Sequence, residues 1–454
     1  MIEYRAMIRI SRDDEAMYRP TTLARLFSEG KSETLVRFQY LEKFSVLRSS
    51  TIVTAPPTTF RHSALRRRFT ALAVVTAIVL ALQLCRQPFA LAAPLGHEAQ
   101  LVVDRLLAPP SISTEPGFTA RLLVPPGELY DPLFMVPRGN NTVWMNDDGK
   151  EIGPHGSRIL EFTLDGKFSV LVGADKLLPV TGIDVAPADF GNYGGQIFTL
   201  AQPAVQMPGA IANHIIQRID PKTRTVTTFC TLPASGKVAN GIAGLGVAAR
   251  FGPAGSPYHG VFFAITALND AIYQVLPDGT CKPFADFSQL GSPTGLTFTN
   301  DHSTMLVTVS PGEVTSGASE GKGMVVSVDP GGHNKPNPVA TGLTRPFGLD
   351  VAPAGFGPYK DQIFVTDAGD IQIPVPGTQA LKRDGKIFRI TPSGELKLVA
   401  SGFINPAGAR FIRSPSDSAN PTGAPHLWIT DINGDFIAGK RELPDGFLVQ
   451  IDAK

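Results

Sequence analysis

Carboxylates and amides stand at matching places in a sequence that repeats itself. Asp147, Asp367 and Asp431 each end a short apolar run, with Asp148, Asp370 and Asp435 close behind. Gathered on one rim, such carboxylates suit a cation or a cationic ligand. Taken singly, each suits a cap on its own turn, because an Asp carboxylate readily accepts backbone N–H groups. A second set lies two residues after a recurrent Gly: Asp184, Gly246, Thr297, Asp350 and Arg410, with Val136 in the equivalent place of the first copy. There Asp184 and Asp350 would oppose each other with Arg410 beside Asp350. That arrangement offers a buried general base with a raised pKa, or an ion pair that seals a channel.

A third set precedes the apolar runs: Glu128 and Asp131, Thr181, Asn240, Thr294, Arg345 and Asn405. Oxygen and amide donors converging on one mouth suit a small polar ligand or a hard divalent cation. Asp147, Arg345, Asp367 and Asp431 are the ligand-contacting candidates of this face. His155 and His214 approach it as candidate bases, without a Ser or Cys nucleophile beside either in sequence. Asp431-Ile-Asn433-Gly-Asp435, with Glu442 at the twelfth place, approximates a calcium loop. Phe436 stands where that loop needs Gly, and the flanks read as strands instead of helices.

The elements that must position these residues are hairpins. Arg158–Val172, Ile215–Thr223, Ala271–Thr280, Met324–Gly332, Lys386–Val399 and Phe447–Asp452 alternate apolar and polar residues, most of them into a Pro, Asp or Gly turn. The inner runs open at Phe134, Gly182, Gly244, Gly295, Gly348 and Gly408, a spacing of 48 to 62 residues. One four-stranded sheet per copy at that period predicts an all-β, six-bladed β-propeller. The sixth copy reaches Lys454 after three strands. Phe118–Val124 alternates like a strand, and it is predicted to complete the last blade and remove two exposed sheet edges. The long connections Gln202–Asn213, Ser310–Gly323 and Ala368–Gly385 lie on the face where the candidate residues gather.

The 454 residues carry 41 basic and 40 acidic side chains, so no basic excess points to nucleic acid. Arg66-Arg67-Arg68, the apolar stretch Phe69–Leu84 and Ala90-Leu91-Ala92 read as an export signal cleaved near Ala92. The triple arginine also fits a twin-arginine pattern loosely. The alternative is an uncleaved single-span membrane anchor through 69–84. Residues 1–65 read as an extension or a mis-assigned start, 94–115 as a linker and 116–454 as the propeller, monomeric and periplasmic or secreted. Cys230 and Cys281 fall on outer strands of adjacent blades, offset by about five residues or roughly 16 Å along the strand. At that separation both are expected to be free thiols.

Phe347-Gly-Leu-Asp-Val-Ala-Pro-Ala-Gly-Phe-Gly-Pro-Tyr-Lys-Asp-Gln-Ile-Phe-Val-Thr-Asp367 resembles the NHL-type and gluconolactonase-like six-bladed propellers. Thr181–Leu200 echoes it with Phe190-Gly191 and Tyr193, and Phe251-Gly252 with Tyr258 is a third copy. The resemblance covers about 116–454. It implies one divalent metal, calcium or zinc, at the channel mouth, held by Glu128, Asn240 and Asn405, with Thr294 and Phe347 standing where the family has acidic or amide ligands. It further implies a lactone or sugar derivative as substrate, with Asp184 or Asp350 as base in a metal-assisted hydrolysis. The strictosidine synthase-like branch is a further relative whose catalytic Glu has no counterpart here. The alternative is a non-enzymatic propeller that binds a protein or a cell-envelope ligand through the same loops.

Overall fold

The computed structural model describes residues 107–454, except for 139–140, 149–156, 174, 202–213, 234–245, 268–269, 312–321, 333–335, 370–383, 414–423 and 433–443. The export segment, the stretch 69–84 and most of the three long connections therefore lie outside the described residues. Among the described residues no helix is long and apolar enough to cross a membrane.

The described residues form six antiparallel sheets, and in each blade the innermost strand opens the run of strands. The innermost strands are Pro132–Arg138, Val180–Val185, Gly246–Phe251, Ser292–Phe298, Pro346–Val351 and Pro406–Ile412. The all-β propeller is as expected. In the fifth blade the strands are Pro346–Val351, Ile363–Asp367, Gly385–Ile390 and Leu396–Phe403, the last two forming the hairpin expected over Lys386–Val399. Ring closure is also as expected: Phe118–Leu129 pairs antiparallel with Gly446–Ala453, Phe118 opposite Ala453. Within the segment read as linker, Ser113–Thr114 pairs with Ser401 and Ala400 and adds a fifth strand to blade five.

The recurrent Gly is explained by how closely adjacent inner strands approach. A Cβ on Gly348 or Gly408 would strike the carbonyl oxygen of Ala407 or Leu133 in the next blade. A second-strand side chain bridges the same junction. Thr366 Oγ1 accepts the N–H of Gly348 at 2.8 Å and donates to Ala407 O at 2.8 Å. Thr430 does the same with Gly408 N–H and Leu133 O, both at 2.7 Å. Thr308 joins Gly295 N–H (2.7 Å) to Phe347 O (2.6 Å), and Asn146 joins Phe134 N–H (2.9 Å) to Val180 O (3.0 Å). The inner strand is an edge whose backbone groups face no further strand, so these side chains satisfy what the sheet leaves unpaired.

Blades two and three carry Leu200 and Ile265 at the bridging place, and their junctions use other devices. Between blades two and three stands a disulfide, Cys230–Cys281, with Cα atoms 6.5 Å apart. The expectation of free thiols is thereby corrected. An offset measured as if the two strands ran flat and parallel overestimates the distance, because strands and sheets twist. The hairpin tip of blade three rests on blade two, with Gly279 facing the Phe229 carbonyl and Gly191 facing Pro277. That contact brings the start of one outer strand to the end of the other.

The Phe-Gly loops that carry the family resemblance are packing elements. Phe190 lies edge-on to Phe251 of the next blade at 4.8 Å between centroids, and Phe356 lies likewise to Phe411 at 4.8 Å. Tyr193 and Tyr359 each lie under a guanidinium, of Arg218 and Arg389. Tyr258 donates to Val328 O at 2.5 Å and accepts Met305 N–H at 3.1 Å. Burying an aromatic side chain at such a seam contributes about 2–3 kcal/mol, so these motifs hold blades together.

Candidate functional site: the channel and its mouth

The register of the six inner strands fixes which residues share a level of the channel. Val136, Asp184, Arg250, Thr297, Asp350 and Arg410 lie opposite Trp144, Phe198, Phe263, Leu306, Phe364 and Trp428 of their second strands. Arg250 therefore occupies the level at which Gly246 is expected from the sequence, and Gly246 lies at the mouth end, opposite Thr266. Anchoring blade three on Gly244 produces that displacement. Asp184-Val-Ala-Pro187, Asp350-Val-Ala-Pro353 and Arg250-Phe-Gly-Pro253 align by their proline, and that signal is present in the sequence.

This level is a charge cluster. Asp350 Oδ1 accepts Thr297 Oγ1 at 2.8 Å and the Arg250 guanidinium at 3.3 and 3.4 Å. Its Oδ2 accepts the backbone N–H of Phe411 at 2.9 Å and lies 3.9 Å from Arg410 Nε. Arg250 also donates to Thr297 Oγ1. Asp184 Oδ2 accepts Phe251 N–H at 2.7 Å, and Oδ1 accepts Val185 N–H at 2.8 Å. Burial pushes the Asp184 carboxyl up to about 6, against the Arg250 guanidinium and the two N–H groups, while the Asp350 charge adds to the rise. Asp184, Asp350 and Arg410 are thus brought together at one level as expected, and both carboxylates cap the inner-strand edge of the next blade.

Above them the channel is crossed by two rings. Phe134 and Phe347 stack with centroids 5.8 Å apart and planes 18° from parallel. Phe134 packs against apolar clusters on both sides of the channel, including Ile183 with Val180 and Leu296 with Val309. Asp350 lies four residues beyond Pro346 at the mouth end, roughly 13 Å down the strand. The aromatic pair stands between the two.

At the mouth three neighbouring blades repeat one construction. Asp367 accepts the N–H groups of Thr344 (2.8 Å), Arg345 (2.7 Å) and Gly369 (3.1 Å). Asp431 accepts those of Ile404 (2.9 Å) and Asn405 (3.0 Å). Asp147 accepts Tyr130 N–H at 3.0 Å and the Arg158 guanidinium at 2.7 and 2.8 Å. Burial pushes the Asp147 carboxyl up, against Arg158 and the N–H groups of Tyr130 and Asp131. The chain is then closed from the other side. The carbonyls of Asp131, Arg345 and Asn405 accept the N–H groups of Asp148, Ala368 and Ile432 at 3.0, 3.0 and 3.2 Å. Each rim aspartate thereby holds one mouth residue in place. Asp131, Arg345 and Asn405 are all buried, as is Ser292 at the same level of blade four.

A divalent ion needs several oxygen ligands at about 2.3–2.6 Å if calcium, or a tetrahedral set at about 2.0–2.3 Å if zinc. Glu128 is exposed near the end of the closing strand, and its carbonyl accepts Arg158. Asn240 lies outside the described residues, as do His155, Asp370 and the calcium-loop positions 433–442. Asn405 shares its mouth level with the cationic Arg345. Among the described residues no group of three His, Cys, Asp or Glu could hold a metal ion. The expected set of Glu128, Asn240 and Asn405 includes one residue, Asn240, that lies outside the described residues. His214 is buried at the start of its third strand, where its carbonyl accepts Leu232 N–H.

No family model matches the chain, and no curated protein matches it. Solved structures do. A gluconolactonase from Xanthomonas campestris is 14% identical over 76% of this chain and 95% of its own, with a TM-score of 0.44. A luciferin-regenerating enzyme is 12% identical over 76% and 95%, with a TM-score of 0.44. A pyrroloquinoline-quinone-bound aldose sugar dehydrogenase from Streptomyces coelicolor is 14% identical over 75% and 100%, with a TM-score of 0.48. At these identities the likeness is one of fold.

Proposed function

We propose that this chain is an exported six-bladed propeller that binds a small polar molecule, of the size of a sugar or a lactone, at the channel mouth. The observation that carries the reading is the floored mouth: the Phe134–Phe347 stack lies across the channel below the level of Asp131, Ser292, Arg345 and Asn405. An apolar floor with a few fixed polar groups is how small-molecule sites are built. The disulfide supports export, since such bonds persist in oxidising compartments. Calorimetric titration of the purified protein with a panel of sugars and sugar lactones tests it. Saturable binding that weakens in Phe347→Ala supports the mouth as the site, and absence of binding across the panel overturns it.

Lactone hydrolysis is the second reading, favoured by the resemblance of the repeated loops to gluconolactonase-like propellers. Incubating the protein with each lactone, with and without calcium or zinc, separates binding from turnover. Stoichiometric metal together with metal-dependent ring opening would favour the hydrolase.

A further inference from the structure

The central channel holds two guanidinium groups whose hydrogen-bonding capacity exceeds the carboxylate between them. Arg250 and Arg410 flank Asp350, whose Oδ1 already accepts Thr297 and whose Oδ2 already accepts Phe411 N–H. Arg410 reaches Asp350 only at 3.9 Å and is mostly buried, at 16% side-chain exposure. A guanidinium has five N–H donors, and burying them without acceptors is costly. Beside both arginines is a cavity of about 30 Å³, lined by all six inner strands. Its charged lining is Asp184, Arg250 and Arg410, and the rest is apolar. That volume admits about two waters or one small ion.

We propose that this cavity is a binding site for one small inorganic anion of the size of chloride, held by the guanidinium groups of Arg250 and Arg410. The geometry disfavours a cation, because two fixed positive groups border the space. It also disfavours any organic ligand, because the space is too small. The titratable and charged groups at this level are Asp184, Arg250, Asp350 and Arg410, with Thr297 and Val136 completing the ring. With both carboxylates ionised the level is neutral. Protonation of Asp184 leaves one net positive charge in a desolvated channel, so anion uptake is coupled to proton uptake there. Each Asp184 oxygen already accepts one backbone N–H group, which holds the carboxyl at the wall of the cavity.

Bromide replaces chloride at such sites and scatters anomalously. Crystals of the protein soaked in sodium bromide at pH 5 are expected to show one anomalous peak in the channel, within hydrogen-bond reach of Arg410, weaker or absent at pH 8. In solution, chloride is expected to raise the thermal midpoint at pH 5 above that in equal isethionate, which is too large for the cavity. Arg410→Gln is expected to raise the half-saturating chloride concentration by at least about tenfold, the scale of one lost charge-assisted hydrogen bond. Arg410→Lys, which keeps the charge, is expected to fall between. No channel peak at either pH, or a chloride effect identical in wild type and Arg410→Gln, overturns the proposal, and the bromide readout on the wild-type protein stands even if a variant fails to fold.

Discussion

The Asp350 carboxylate takes the backbone N–H of Phe411 at 2.9 Å across the junction between blades five and six. Asp184 takes Phe251 N–H at 2.7 Å across the junction between blades two and three. Both acids therefore act on the inner-strand edge of a neighbouring blade. Removing the Asp350 carboxylate leaves the Phe411 N–H without its acceptor, Arg250 with only Thr297, and Arg410 without its counter-charge. Asp350→Ala is expected to lower unfolding free energy by about 3–5 kcal/mol, as breaking a buried ion pair does. Urea denaturation of wild type and variant measures it.

The pH dependence follows from Asp184. Its folded pKa, about 6, lies above the ordinary 3.8. The stability associated with the neutral carboxyl is therefore fully present below about pH 4 and is lost as pH rises through 6. The loss amounts to at most about 3 kcal/mol. Asp184→Asn is expected to flatten the stability profile between about pH 4 and 7. A profile unchanged by that substitution would count against the assignment.

Reduction is expected to act on one seam. The disulfide joins residues 51 apart in sequence, and its removal costs about 2–4 kcal/mol. Thermal unfolding with and without reductant, and of Cys230→Ser with Cys281→Ser, should give the same drop. Non-reducing peptide mapping should recover the linked pair directly.

Thr366→Val keeps the shape of the side chain and deletes both hydrogen bonds at the junction of blades five and six. Leaving the Gly348 N–H and the Ala407 carbonyl short of a partner is expected to cost about 1–3 kcal/mol. Hydrogen exchange should show the loss concentrated at that junction. Thr199→Val in blade two is the control, since the Thr199 hydroxyl makes no hydrogen bond among the described residues and its loss should cost far less.

Truncation of the closing strand through Pro126 is expected to abolish cooperative unfolding, because it exposes the edge of Gly446–Ala453 and unties the two ends of the ring. Circular dichroism and size-exclusion chromatography report the outcome. A truncated chain that still melts in one sharp transition would contradict the seam as a stability determinant.

The repeat is legible because hairpins announce themselves locally: alternation, a turn residue, alternation again. So is the closing strand, through a sixth copy short of one strand. The acidic rim is legible as composition but open as to role. Its carboxylates hold Asp131, Arg345 and Asn405 in place, and sequence cannot tell an acid aimed at a ligand from one aimed at the backbone entering the neighbouring strand. Arg250 escapes any alignment of the copies on their glycines and emerges only when they are aligned on their prolines. Phe134 stands where four other blades have Gly, yet that it reaches across the channel to Phe347 depends on ring closure, which no local pattern encodes. The disulfide escapes for a related reason. Twist between blades sets its distance, and spacing along one strand does not.

The seam that closes the ring joins positions far apart in the chain, as Arg121 and Gln450 show with a separation of 329 residues. Chain-entropy cost grows only logarithmically with such a separation, by about 0.6 kcal/mol per doubling, so the closed ring gives up little at equilibrium. The burden falls on kinetics. Five blades can assemble from neighbours as the chain emerges from the ribosome, whereas the sixth must wait for its partner and carries the highest contact order in the molecule. Until then two strand edges stay open, and protecting them sets the interval in which the newly made protein most needs a chaperone.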